Sequence, residues 1–130
     1  MAARDLYISP WFRKASAYAA QVADEWYILS AKYGLIDPDR VIAPYDETLK
    51  RMRAVARRDW ARRVVKHLQT LLQPGDHVLI LAGLDYRENL VEPIRQMGCH
   101  VEVPMRGLGI GEQLHWLNQA LETNDVGSCV

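Results

Sequence analysis

The sequence predicts an α/β fold: a three-layer α/β/α sandwich around a small, mainly parallel sheet of about three to four strands. Three observations carry this expectation. Helical and strand patterns alternate along the chain. The clearest strand, Val78-Leu79-Ile80-Leu81-Ala82, is apolar at every position, as a strand covered on both faces is. The composition is that of a soluble globular domain, with 49% hydrophobic and 25% charged residues in 130.

Each element follows from local chemistry. Ser9-Pro10 pairs an N-cap residue with proline at the first helical position. Phe12, Ala15, Ala19 and Val22 continue at helical spacing, so a helix is expected over Pro10–Ala23. Trp26–Leu29 is a short run of β-favouring residues and reads as a buried strand. Gly34 and Asp37-Pro38-Asp39 signal turns, and Val41–Leu49 reads as irregular. A long amphipathic helix is expected over Arg51–Leu72, with Trp60, Val64, Leu68 and Leu71 as its apolar stripe. After the turn Pro74-Gly75-Asp76 comes the Val78–Ala82 strand. Leu84–Met97 reads as a helix interrupted by Pro93 and capped by Gly98. Val101–Val103 is a short strand, Gly107–Gly111 a glycine-rich loop, and Gly111–Glu122 a last helix. A fourth strand has to come from Asp5–Ile8, from Val126–Val130 or from another chain. Residues 1–124 are expected as one domain and 125–130 as a tail.

Net charge is zero, so no global field draws the protein to nucleic acid or membrane. The charge is unevenly placed: Lys50 to Lys66 holds eight of the 16 basic residues and a single acid, Asp59. Arg58, Arg62 and Lys66 recur every four residues and share a helix face, which suits contacts to a phosphate backbone. The bland alternative is a solvated helix laced with salt bridges. The two cysteines, Cys99 and Cys129, fit a reducing, cytoplasmic setting, and no apolar run approaches the roughly 18 residues of a membrane span.

Ligands of parallel sheets bind beyond the carboxyl ends of the strands. Ser30–Tyr33, Gly83–Tyr86 and Pro104–Gly111 are expected to meet there. Lys32 suits a phosphate or carboxylate, and Tyr33 and Tyr86 suit stacking on a base. Asp46 and Asp85 are the candidate catalytic carboxylates; each also suits a helix N-cap. Gly83 permits close approach of an anion to the backbone. Gly109 and Gly111 belong to a loop that can cradle phosphate, although "GLGIG" lacks the full dinucleotide fingerprint. Gln113 can read a base edge. His67, His77, His100 and His115 lack metal-ligand spacing, as do the cysteines, so no metal or cofactor is expected. Ser30 follows a strand, but no Gly-x-Ser-x-Gly elbow surrounds it.

Taken together, "RDLYISPWFRKASAYA", "WYILSAKYGLIDPDRVIAPYDETL", "ILAGLDYRENLVEPI" and "VPMRGLGIGEQLHWLN" resemble a bacterial and phage family known as a domain of unknown function. The resemblance covers nearly the whole chain in order. More distantly the chain looks like the uracil-DNA-glycosylase-like domains attached to tRNA base-modification enzymes. That likeness implies a nucleotide or nucleic acid as ligand and action on a nucleobase or its glycosidic bond. Members of the first family usually open with one more strand, ending in a cysteine-containing turn and a lysine, so an unfilled sheet position and a homodimer through it are expected here. The rival expectations are a non-catalytic nucleic-acid-binding module using the basic helix, and an inactive oligomeric scaffold.

Overall fold

The computed structural model describes every residue except Glu47, Cys129 and Val130, and the side chains up to Glu122 apart from Glu47. The elements in chain order are α1 (Ala3–Leu6), α2 (Pro10–Val22), β1 (Ile28–Ser30), β2 (Gly34–Ile36), a 3-10 turn (Leu49–Arg51), α3 (Ala54–Leu71), β3 (His77–Leu79), α4 (Leu84–Arg87), α5 (Val91–Gln96), β4 (His100–Glu102) and α6 (Ile110–Ser128). Contacts group these into two compact units. The first holds Met1–Tyr27, Asp37–Ile42 and the chain from Met105 onward; the second holds Ile28–Ile36 and Ala43–Pro104.

In the first unit, α2 packs on α6. Ser9 caps α2 as expected, its Oγ accepting from the Phe12 N–H at 3.1 Å, with Pro10 at the start of the helix. Ala15 and Leu117 are buried, and the rings of Tyr18 and Trp116 meet edge to face at 5.2 Å. Trp11 Nε1 donates to Gln113 Oε1 at 2.8 Å. Asp5–Ile8 is not a fourth strand: α1 takes Asp5 and Leu6 into a single helical turn, and the chain from Met1 to Arg4 is the part that bonds to the segment Pro38–Ile42, with an isolated bridge from Ala2 to Val41. The segment from Val126 begins inside α6, while Cys129 and Val130 lie outside the described residues.

In the second unit, α3 packs on β2 through Trp60, Ala61, Val64 and Leu68, all buried. This is the apolar stripe the sequence shows, except that Leu71 is 38% exposed. The helix starts at Ala54 rather than near Arg51, because the chain first makes the 3-10 turn capped by Thr48. The single helix expected over Leu84–Met97 is two. Proline lacks an N–H and its ring clashes with the carbonyl four residues earlier. A new helix therefore begins at Val91, which puts Pro93 in a first turn, where an N–H has no intrahelical partner anyway. Gly98, at φ 86°, follows its end as expected.

The sheet differs from the expectation. Among the described residues four strands form, but as two pairs rather than one mainly parallel sheet. β3 and β4 are parallel, with Val78 opposite Val101, and Ile80 N–H extends the pairing to Glu102 O at 2.9 Å. β1 and β2 are antiparallel, with Ser30 opposite Gly34. The cause is the turn between them. Three residues, Ala31 to Tyr33, close a hairpin whose return requires a left-handed residue, and Gly34 supplies φ 77°. Gly34→Ala is expected to lower stability by about 1–2 kcal/mol through backbone strain. A clash is not the cause, since a Cβ there would lie 3.7 Å from Val64 Cγ2. A denaturant titration reads the loss; an unchanged midpoint would show that the hairpin tolerates another conformation. No helix among the described residues is long and apolar enough to cross a membrane.

Candidate functional site

Two features of the second unit concentrate chemistry. The first is a groove of about 490 Å³ lined by Arg58, Ala61, Arg62, Val65, Lys66 and Gln69 of α3, with Asn89 and Pro93 from the α4–α5 segment. Residues four apart on a helix rise about 6 Å and stay on one face, which brings Arg58, Arg62 and Lys66 to the groove in a row. Arg62 pairs with Asp59 at 2.9 Å, but both side chains are more than half exposed, so the pair holds the guanidinium weakly. Among the described residues no carboxylate pairs with Arg58 or Lys66. Among the described residues the side chains of Gln69 and Asn89 likewise find no hydrogen-bond partner. The groove thus joins three cations, two carboxamides and the apolar side chains of Val65 and Pro93, with buried Ala61 beneath.

The second feature surrounds the β1–β2 turn. Ser30 is fully buried. Its hydroxyl donates to Tyr45 Oη at 2.8 Å and accepts from the Tyr33 N–H at 3.0 Å. Its carbonyl accepts from Trp60 Nε1 at 2.8 Å. Tyr33 and Tyr45 meet edge to face at 5.7 Å, as do Trp60 and Tyr86. Lys32 is exposed in the turn, its Nζ 5.4 Å from the Tyr33 ring centre, within cation–π range. So Lys32 and Tyr33 belong to a hairpin turn, not to the carboxyl end of a parallel strand. The sequence singled out Lys32, Tyr33 and Tyr86; it offered no way to join them to Tyr45, Trp60 and Ser30.

Asp85 is held by Arg57, which the sequence alone shows only as one basic residue of the helix among several. Arg57 donates through Nη1 to Asp85 Oδ1 at 3.1 Å and to Glu88 Oε1 at 3.3 Å, and through Nε to Met52 O at 3.2 Å. The Arg57 and Asp85 side chains are 24% and 27% exposed, so partial burial strengthens the pair. Gly83, not Asp85, occupies the N-cap of α4. Arg57→Ala is expected to cost about 2 kcal/mol, because it strands Asp85 and frees the backbone leading into α3. Thermal denaturation of R57A against R57A/D85A checks this: the double variant should recover part of the loss.

Asp46 and Gly83 belong to neither of these features. Asp46 is 97% exposed and meets Arg51 at 3.6 Å; no hydrogen bond or ion pair among the described residues links it to Asp85. The space beside Gly83 is open. Gly109, Gly111 and Gln113 belong to the first unit. The Gly109 N–H donates to Glu112 Oε1 at 3.2 Å, half of a capping box. Gln113 uses both ends of its carboxamide, accepting from Trp11 and donating to Leu108 O at 2.8 Å. Outside both features, the Tyr27 phenol is raised above its ordinary value, first by partial burial and then by its hydrogen bond to Glu25. His77 and His100 stack across β3 and β4 with centroids 4.8 Å apart.

The fold and these features define a small protein of mixed helix and strand with a basic, carboxamide-lined groove on one helix. The chain belongs to the Family of unknown function (DUF6884), whose model matches residues 1–119. It is 32% identical over 123 residues to the uncharacterized protein YfjM of Bacillus subtilis (strain 168), an alignment covering 92% of this chain and 80% of that protein. No solved structure matches it.

Proposed function

We propose that this protein binds nucleic acid along α3, with Arg58, Arg62 and Lys66 on the phosphate backbone. The observation that carries the reading is the groove itself: three cations in one row, two of them without an acidic partner among the described residues, beside two free carboxamides. A helix laced with salt bridges would hold its charges against its own carboxylates; here Asp59 is the acid available within α3. Binding of this kind releases counterions, so its affinity falls steeply with salt. Three phosphate contacts imply a slope of about −2 or steeper in log affinity against log salt. Fluorescence anisotropy with a labelled oligonucleotide over a salt series measures it; a flat slope, or no binding at low salt, overturns the reading.

A second reading, action on a nucleobase or its glycosidic bond, has one observation in its favour. Asp85 is a half-buried carboxylate oriented by Arg57 and followed by the Tyr86 ring, the surroundings in which a carboxylate orients water or stabilises a cationic sugar. Lys32 and Tyr33 then serve a phosphate and a base. Release of free base from nucleosides or oligonucleotides, lost in Asp85→Asn, is the expected signature. A homodimer in the cytoplasm is consistent with either reading: among the described residues each strand pair has outer edges bonded to no further strand. Light scattering reads the assembly.

A further inference from the structure

We infer that the α3 groove takes a single nucleic-acid strand, with one base turned between α3 and the Asn89–Pro93 segment and read by the carboxamides of Gln69 and Asn89. The inference rests on the nucleic-acid reading above and names the form of the ligand. Shape decides first. A helix that reads a duplex must project into a groove about 12 Å wide and 8.5 Å deep. The basic row of α3 instead forms one side of a depression whose other side is Asn89 and Pro93. A row flanked in this way suits one strand lying along it with an unstacked base turned toward Asn89 and Pro93.

Size agrees. The groove offers about 490 Å³ of shallow space open to solvent, room to seat one base against its wall. Chemistry agrees as well. Each carboxamide offers a donor and an acceptor side by side, the pattern that pairs with a base edge, and single strands leave those edges open. Val65 and Pro93, both partly exposed, provide an apolar surface for the face of the base. None of the lining residues is aromatic. Stacking therefore contributes little, and binding depends on base-edge hydrogen bonds more than in proteins that stack bases on aromatic rings.

The test compares labelled single strands of differing base composition with a blunt duplex of the same sequence, by anisotropy at one salt concentration. Single strands are expected to bind at least about tenfold tighter than the duplex. The variant Gln69→Ala/Asn89→Ala should weaken single-strand binding about tenfold and flatten the differences among bases, while the salt slope stays as in the wild type, because no phosphate contact is lost. Both side chains lack partners among the described residues, so the variant is expected to melt with the wild type. If the duplex binds as tightly as the single strand, and the Arg58/Arg62/Lys66 charge-reversal variant loses both, the single-strand inference falls and the nucleic-acid reading stands. Equal weakening of single strand and duplex by the carboxamide variant also overturns it. If neither form binds the wild type, both fall together.

Discussion

Trp60→Ala should lower the stability of the protein by about 4 kcal/mol, the range for removing a fully buried aromatic ring. Trp60 is 1% exposed and is the largest fully buried side chain. Three losses add up. The cavity deprives Ala61, Val64 and the β2 side of α3 of their packing. The edge contact with Tyr86 at 5.7 Å disappears, worth about 0.5–1.5 kcal/mol of its own. The Ser30 carbonyl loses the donor that meets it at 2.8 Å in a buried setting. Thermal melting followed by circular dichroism should show a drop on the order of 10–15 °C. Trp60→Phe separates the terms: it keeps most of the ring and strands the carbonyl, so about 1–2 kcal/mol is expected. A W60A loss below about 1 kcal/mol would mean that α3 is not fixed through this indole.

Reversing the charge of Arg58, Arg62 and Lys66 together, each to glutamate, should cost on the order of 100-fold in affinity for nucleic acid. Each cation on a phosphate contributes about 1 kcal/mol once exposure is taken into account, and the reversed charge adds repulsion. Replacing the same residues with alanine should reduce the salt slope by about 2, since about 0.7 counterion is released per contact on a single strand. The loss should be uniform across sequences, because phosphates carry no sequence information. Stability should hold within about 0.5 kcal/mol, since Arg58, Arg62 and Lys66 are exposed and Arg, Lys and Glu are similar helix formers. Unchanged binding by a folded triple variant would remove α3 from the interface.

These two predictions draw on different parts of the same helix, and the two parts were unequally legible. The apolar stripe and the basic row were both readable, because helical spacing is a local property: residues three and four apart share a face wherever the helix is placed. The Ser9-Pro10 start and the Gly98 stop were readable for the same reason, since caps act within a few residues. The groove was not. It needs Asn89 and Pro93 opposite α3, and they arrive there only because Pro93 forces a fresh helix at Val91 and α5 packs on β4. The Arg57–Asp85 pair spans 28 positions and the Trp60–Ser30 bond spans 30, so neither has a signature in local sequence.

The strands show the opposite case, in which a readable element was misassigned. Trp26–Leu29 reads as a buried strand, and Ile28 and Leu29 do belong to one. Its partner was taken for a turn, because Gly34 followed by two residues looks like punctuation when nothing shows what lies alongside. Whether Gly-Leu-Ile is a turn or a strand depends on hydrogen-bonded pairing with Ile28–Ser30, and pairing is a property of two segments.

By itself, then, the sequence determined the start of α2 and the stop after α5, which face of α3 is apolar and that the opposite row is basic, because these follow from period and capping within a few residues. Only the tertiary structure decided that the strands pair as a hairpin and a parallel couple, that Ser30 is buried beneath Tyr45 and Trp60, that Arg57 holds Asp85, and that a groove lies beside the basic row. Each of those depends on groups brought together from distant positions, and the energies that choose among such meetings, burial and hydrogen bonding of the same few side chains, are assigned only when the chain has packed.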